Sequence, residues 1–475
     1  MAISSRGSTS CLFLHASLAT AIVACGDAGD SSATQGGTVA TMTGGGPGGT
    51  GDPPTTGDAG SGTGSASAST GAPTSTEAVN DSTGSSGGGG IKLDLGTQAD
   101  FAVGCNCGMA SEFSYIWVAN SPESTVSKID TNTVQEVARY STRGDGMGNP
   151  SRTSVSISGR SVAIANRHDG LVKIWSNQAD CDPGKNGMPG LQTSSGAGDV
   201  LAWDQDDCVA WYTDFPDWTT QRPVAWAPGT FNEGTCSWSN EQVWTAGCAN
   251  GFQPGFGDGF TRVALLDGDT GAVLEKFELT GYPCNGFGPY GGAVDSIGNL
   301  WLTLNNGALA FVDRKTLAFT VHAKPDDVQS YGLTVDDQGR PWVTSYSQTV
   351  GVARYDPMTM TWATTGDAVG YGQSGITQGK DGRMWIAGYF NGSPGVAGFD
   401  PETLDLVATI PSSCGGKGVS VDGKGYLWCA GGSVAARIDV DAMSETAYNG
   451  LNGAYTYSDM TGFGVANAVG CQPAG

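Results

Sequence analysis

Gly291-Gly-Ala-Val-Asp-Ser-Ile-Gly-Asn-Leu-Trp301 returns as Gly332-Leu-Thr-Val-Asp-Asp-Gln-Gly-Arg-Pro-Trp342. It returns again as Gly375-Ile-Thr-Gln-Gly-Lys-Asp-Gly-Arg-Met-Trp385 and Gly418-Val-Ser-Val-Asp-Gly-Lys-Gly-Tyr-Leu-Trp428. Successive tryptophans stand 41, 43 and 43 residues apart. Each unit reads as a strand, a glycine-bearing tight turn and a second strand opening on Trp. A period of roughly 40–45 residues carrying four short strands is the pattern of a propeller blade.

A second marker follows the Trp strands. Asp130-Thr-Asn-Thr133, Asp267-Gly-Asp-Thr270, Asp313-Arg-Lys-Thr316, Asp356-Pro-Met-Thr359 and Asp400-Pro-Glu-Thr403 share the form Asp-x-x-Thr. An Asp opening a turn bonds backbone two residues on, and Pro at the next position pre-sets φ. These are hairpin turns between third and fourth strands and imply no catalysis. Working backwards, the second strands centre on Trp117, Ile164, Trp244, Trp301, Trp342, Trp385 and Trp428. The expected fold is an all-β, seven-bladed propeller, its second and third blades enlarged by insertions at 176–208 and 229–250. Tyr455-Thr-Tyr-Ser-Asp-Met-Thr-Gly-Phe463 has first-strand character with no second strand after it, and blade one has the opposite lack. The C-terminus is therefore expected to supply the inner strand of blade one, with Cys471 bridged to Cys105 or Cys107.

The Gly-h-x-h-Asp…Gly-x-h-Trp units resemble the virginiamycin B lyase (streptogramin lyase) family over about residues 100–465. That resemblance implies opening of a cyclic depsipeptide by C–O elimination, with a His base, acidic partners and a divalent metal. His168 with Asp169 is the pair on which such chemistry would rest. The family commonly carries Glu soon after the Trp. This chain has Trp301-Leu-Thr-Leu, Trp342-Val-Thr-Ser, Trp385-Ile-Ala-Gly and Trp428-Cys-Ala-Gly instead, which weakens the lyase reading. His322, in Phe319-Thr-Val-His-Ala, falls in an outermost strand.

Ahead of the repeats the chain changes character. Arg6, an apolar run from Cys11 and the tetrad Ile22-Val23-Ala24-Cys25 resemble a bacterial lipoprotein signal peptide, implying cleavage after residue 24 and lipidation of Cys25. Two or more acyl chains anchor stably. Residues 26–90 lack aromatics, Lys, Arg, Leu and Ile and hold 20 glycines, so 25–90 is read as a disordered tether and 91–475 as the propeller. The expected location is the bacterial envelope, periplasmic or cell-surface, with membrane contact through the anchor only.

The 46 acidic and 23 basic residues give a net charge of −23, which excludes nucleic acid as a partner. An even set of ten further cysteines in an exported chain reads as disulfides, with 181–208, 236–248 and 414–429 the expected pairs and Cys105, Cys107, Cys284 and Cys471 completing the set. No Cys/His cluster has zinc spacing, so neither metal nor cofactor is expected outside the lyase reading. Asp204-Gln-Asp-Asp207 lacks the Gly and distal Glu of a calcium loop and reads as a solvated acidic turn.

In a propeller, the loops entering inner strands and leaving second strands share one face. The first set brings Arg152, Arg222, Tyr290, Tyr331, Gln373, Ser374, Lys417 and Tyr457. The second brings Asn120, Asn166, Arg167, His168, Asp169, Asn305, Asn306, Tyr346, Tyr389, Phe390 and Asn391. Aromatic planes beside amide and guanidinium donors suit a polar organic ligand, such as a glycan or peptide. Asn also serves as a turn former, so a purely structural rim is the competing reading. The expectation is a monomeric, non-catalytic binding module, with the lyase and a protein-interaction scaffold as alternatives.

Overall fold

Seven antiparallel sheets stand in a ring, and each tryptophan of the sequence repeat lies in the second strand of its sheet. The computed structural model describes residues 115–249, 259–284, 287–346, 351–365, 374–390 and 392–470. All belong to one unit, Gly96–Gly475. The lipobox, Cys25, the tether, Cys105, Cys107, Gln373, Asn391 and Cys471 lie outside the described residues. The fold is the expected seven-bladed β-propeller.

Blade four shows the plan: Pro289–Val294, Leu300–Leu304, Leu309–Val312 and Phe319–His322, paired in chain order from the inside outward. Blades five, six and seven repeat it from Ser330–Val335, Ile376–Gln378 and Gly418–Val421. Blade two inserts 176–208 before its last strand, Val209–Thr213. In blade three the insertion is narrower than expected: a hairpin of Thr230–Asn232 and Ser237–Ser239, after which Gln242–Ala249 is a regular blade strand. The insertion in blade two is also not what its acidity suggests. Asp206 and Asp207 are buried, not solvated. Asp206 accepts from Ser194 and Cys208 backbone N–H groups, and Asp207 from those of Asn186 and Gln192, so they hold the loop together.

The ring closes as the sequence suggests, though less regularly. Ala454 bridges Asn120, Tyr455 N–H donates to Ala119, and Trp117 N–H donates to Met460 (both 3.0 Å). Thr456 Oγ1 takes the Ala119 N–H at 2.7 Å, a bond that a strand would give to backbone. The segment is not strand-like through residue 463, because Phe463–Val469 forms a short helix. Asp459 sets that turn: its carboxylate accepts from Gly462 N–H (2.9 Å) and Val465 N–H (3.1 Å).

The repeat motif has a direct physical reading. Asp422 Oδ1 accepts from the backbone N–H of Lys424 and Tyr426, and Oδ2 from the Trp428 indole at 2.9 Å. Asp336 does the same for Gln338, Arg340 and Trp342. Blade six has Gly379 at that place, and Asp381, two residues on, takes the Trp385 indole instead. The turn glycine Gly425 sits at φ +93, a backbone region that side chains disfavour. Thus one carboxylate ties turn to tryptophan.

The Asp-x-x-Thr turns likewise behave as hairpin locks. Asp130, Asp313 and Asp400 each accept from two N–H groups of their own turn. They also join blades. Lys173 donates to Gly268 and Arg437 to Thr131 (both 2.8 Å), while Arg354 donates to Pro401, in each case a turn carbonyl of the next blade. Burial pulls the Lys173 ammonium down to about 8.

Two of the three expected disulfides are present, Cys181–Cys208 and Cys414–Cys429. The third pairing is corrected: Cys248 bonds Cys284, not Cys236. Cys248 ends the second strand of blade three and Cys284 follows its fourth, so both sulfurs lie at one end of the sheet. Cys236 sits in the inserted hairpin and is also disulfide-bonded. These bonds mark an oxidising compartment, extracellular or periplasmic.

Replacing Asp422 by Ala orphans two turn N–H groups and a buried indole. Urea unfolding should show a loss of about 3 kcal/mol with an unchanged m-value.

Candidate functional site

The residue that enters each inner strand was expected on one face, and the structure brings six of them together at the channel mouth. Bulges aim them. In blade four the register slips between Pro289 and Gly291, at Tyr290, and in blade five between Ser330 and Leu333, around Tyr331. Blade two slips between Pro150 and Arg152. Such a bulge re-aims a side chain. Glycine then follows for space: a Cβ on Gly291 would stand 2.8 Å from the Leu333 Cβ of the neighbouring inner strand.

Tyr290, Tyr331 and Tyr457 pack into one cluster, bordered by Phe287, Tyr346 and Tyr455. Ring centroids are 4.8 Å apart for Tyr290–Tyr331 and 4.9 Å for Tyr331–Tyr457. The Tyr455 hydroxyl is a hub, 3.0 Å from that of Tyr290, 2.8 Å from that of Tyr331 and 3.2 Å from that of Tyr457. Burial raises the Tyr331 and Tyr457 phenols above their ordinary value, so both stay neutral.

Cations ring the cluster. The Arg152 guanidinium lies 3.2 Å from the Tyr457 ring centroid, Arg167 4.3 Å from Tyr455 and Arg222 4.8 Å from Tyr290. Lys417 Nζ stands 5.4 Å from Tyr455. Arg152 also donates to the Tyr290 carbonyl at 3.0 Å and Arg167 to Asn149 Oδ1 at 2.6 Å. Cations over aromatic faces gain about 0.5–2 kcal/mol each.

The mouth is layered. Arg152 (1% exposed), Tyr290 (2%) and Tyr331 (5%) form a buried floor rather than an open surface. Tyr346, Tyr455, Lys417 and Asn305 are half-buried above them, and Tyr389 is 51% exposed. Tyr346 donates to Asn305 Oδ1 at 3.3 Å. Beneath the floor the channel holds a cavity of about 40 Å³, lined by Ser154, Thr334, Ser420 and Asp459 among others, room for a water molecule.

Other expected residues take internal roles. Asn120 is buried and donates to Thr125 and Ser127, and buried Asn166 donates to the Thr142 carbonyl. His168 and Asp169 are adjacent in sequence yet face different partners. The exposed His168 ring places Nδ1 2.9 Å from the Met147 carbonyl. Asp169, at φ +102, turns its carboxylate to the Phe215 N–H at 2.6 Å. His322 packs against Trp301 and meets the Tyr355 hydroxyl at 2.9 Å, away from the mouth. Among the described residues no three His, Cys, Asp or Glu side chains converge as metal ligands.

Tyr455, the hub, was legible only as part of a closing strand. Its position two residues before Tyr457 on the closing segment was the available signal.

No family model and no curated protein sequence matches the chain. Among solved structures it is similar to virginiamycin B lyase from Staphylococcus aureus (TM-score 0.42, 14% identity, covering 63% of this chain and 83% of that one). It is also similar to a putative 6-phosphogluconolactonase from Bacteroides uniformis (0.44, 11%, 74% and 98%). A third is a dihydro-heme d1 dehydrogenase (0.43, 13%, 72% and 64%). These are likenesses of fold alone.

Burial, with the Asp214 carboxyl beside it, pushes Asp169 up to about 7 from 3.8. A carboxyl whose pKa is raised by folding stabilises the fold below its unfolded pKa and loses that contribution as pH rises through its folded one. Denaturation at about pH 4.5 and about pH 7.5 should therefore show Asp169→Asn losing less stability across the window than wild type. Equal losses would contradict the assignment.

Proposed function

We propose that this chain is an envelope-anchored lipoprotein whose propeller holds a polar organic ligand, a glycan or peptide, over the channel mouth without turning it over. The carrying observation is the convergence of Arg152, Arg167, Arg222 and Lys417 on hydroxyl-linked tyrosines, in a chain of net charge −23. Half-buried and exposed rings above a rigid floor give a ligand flat surfaces, and amide and ammonium groups give it polar partners. Catalysis would need a base, an acid and an activating group in mutual reach. His168 and Asp169 instead turn to separate backbone groups. The lipobox at Ile22–Cys25 and the glycine-rich segment after it support a tethered head.

A glycan and peptide binding screen of the full-length protein tests the proposal. Binding should weaken on Tyr389→Ala and Tyr346→Ala by about tenfold each, about 1.4 kcal/mol. Opening of a streptogramin B depsipeptide that disappears in His168→Ala would overturn the non-catalytic reading. Metabolic fatty-acid labelling should disappear in Cys25→Ala.

A further inference from the structure

The mouth gathers cations in a chain dominated by acids. Acids outnumber bases 46 to 23. Elsewhere several cations find them: Arg139 meets Glu123 and Glu136, Arg160 meets Asp180, and Arg340 meets Asp336 and Glu402. Others, such as Arg314 and Arg437, spend their N–H groups on carbonyls of a neighbouring blade. Arg152 is 1% exposed and makes no ion pair with any described carboxylate, and its Nε has no hydrogen-bond partner. Lys417 likewise makes none, standing between the Tyr331 and Tyr455 rings at 5.9 and 5.4 Å. Desolvating a cation without a counter-charge is costly, and aromatic faces return only part of that cost. With acids this abundant, a mouth lined this way keeps a place for negative charge.

We infer that the mouth recognises an anion, and that the ligand is a ring-bearing organic carboxylate; this rests on the proposed ligand-binding function. The carboxylate sits at the rim on the Lys417 ammonium, whose loop is held by the Cys414–Cys429 disulfide three residues earlier. Arg152 acts from beneath, its field little screened in the low-dielectric floor. The ring lies against Tyr389, whose hydroxyl is 3.6 Å from where a Cβ on Gly415 would stand, beside the same loop. An inorganic oxyanion would satisfy the charge and leave that exposed ring uncovered.

Calorimetric titration of the full-length oxidised protein with two isosteric pairs tests this: glucuronate against glucose, and N-acetyltyrosine against N-acetyltyrosinamide. The acid of at least one pair should bind tenfold or more tighter than its neutral partner. That preference should shrink in high salt, disappear in Lys417→Gln and persist in Lys315→Gln, an exposed turn lysine. Neutral partners binding as tightly as the acids would overturn the inference and leave the ligand-binding function standing. So would binding of neutral glycans or peptides from the screen while both acids fail. If no compound binds, both fall.

Discussion

The indole N–H of Trp342 and of Trp428 each ends on a carboxylate that also gathers the N–H groups of the preceding turn. Removing either partner strands buried donors, so Asp, turn and Trp behave as one unit. Inner and second strands are thereby fixed at one end of the blade, and the buried Trp wedges against the next sheet. Blade four shows what the bond contributes by varying it. There Asp295 holds Asn299 instead, and Arg314 adds bonds to Gln242 and the Pro228 carbonyl of blade three.

With one end of each blade locked, the other is available for chemistry. Bulges at the start of the inner strands turn Tyr290 and Tyr331 inward, and the closing segment adds Tyr455 and Tyr457 from the far end of the chain. The floor is thus assembled from residues up to 305 positions apart (Arg152 to Tyr457) and exists only when the ring is shut. Cations from Lys173, Arg354 and Arg437 to neighbouring turn carbonyls hold the opposite face. The turn locks and the site therefore occupy opposite ends of the same strands.

The period and the two turn signatures were readable because they are local: each needs only a few consecutive residues and the backbone bonds these make. What depends on distant packing was not. The spacing of Cys236 and Cys248 suggested a pair, yet the partner of Cys248 is Cys284, brought near by the blade's second and fourth strands ending together. The mouth residues were placed on the right face, but whether tyrosines present their rings or pack on each other depends on strands far apart in sequence. Asn120 and Asn166, read as ligand donors, are buried and spend their amide N–H groups on Ser127 and the Thr142 carbonyl. His168 and Asp169 show the limit most plainly, since a left-handed backbone at Asp169 sends neighbouring side chains to different partners.

Hydrogen–deuterium exchange of the full-length protein, with and without a bound ligand, tests most directly whether the mouth is the functional end. The account predicts ligand-dependent protection in the inner-strand entries, residues 150–152, 289–291, 330–332 and 415–418, and in 454–457. Protection confined to the Asp-x-x-Thr turns or the outer strands, with those segments unchanged, would contradict it.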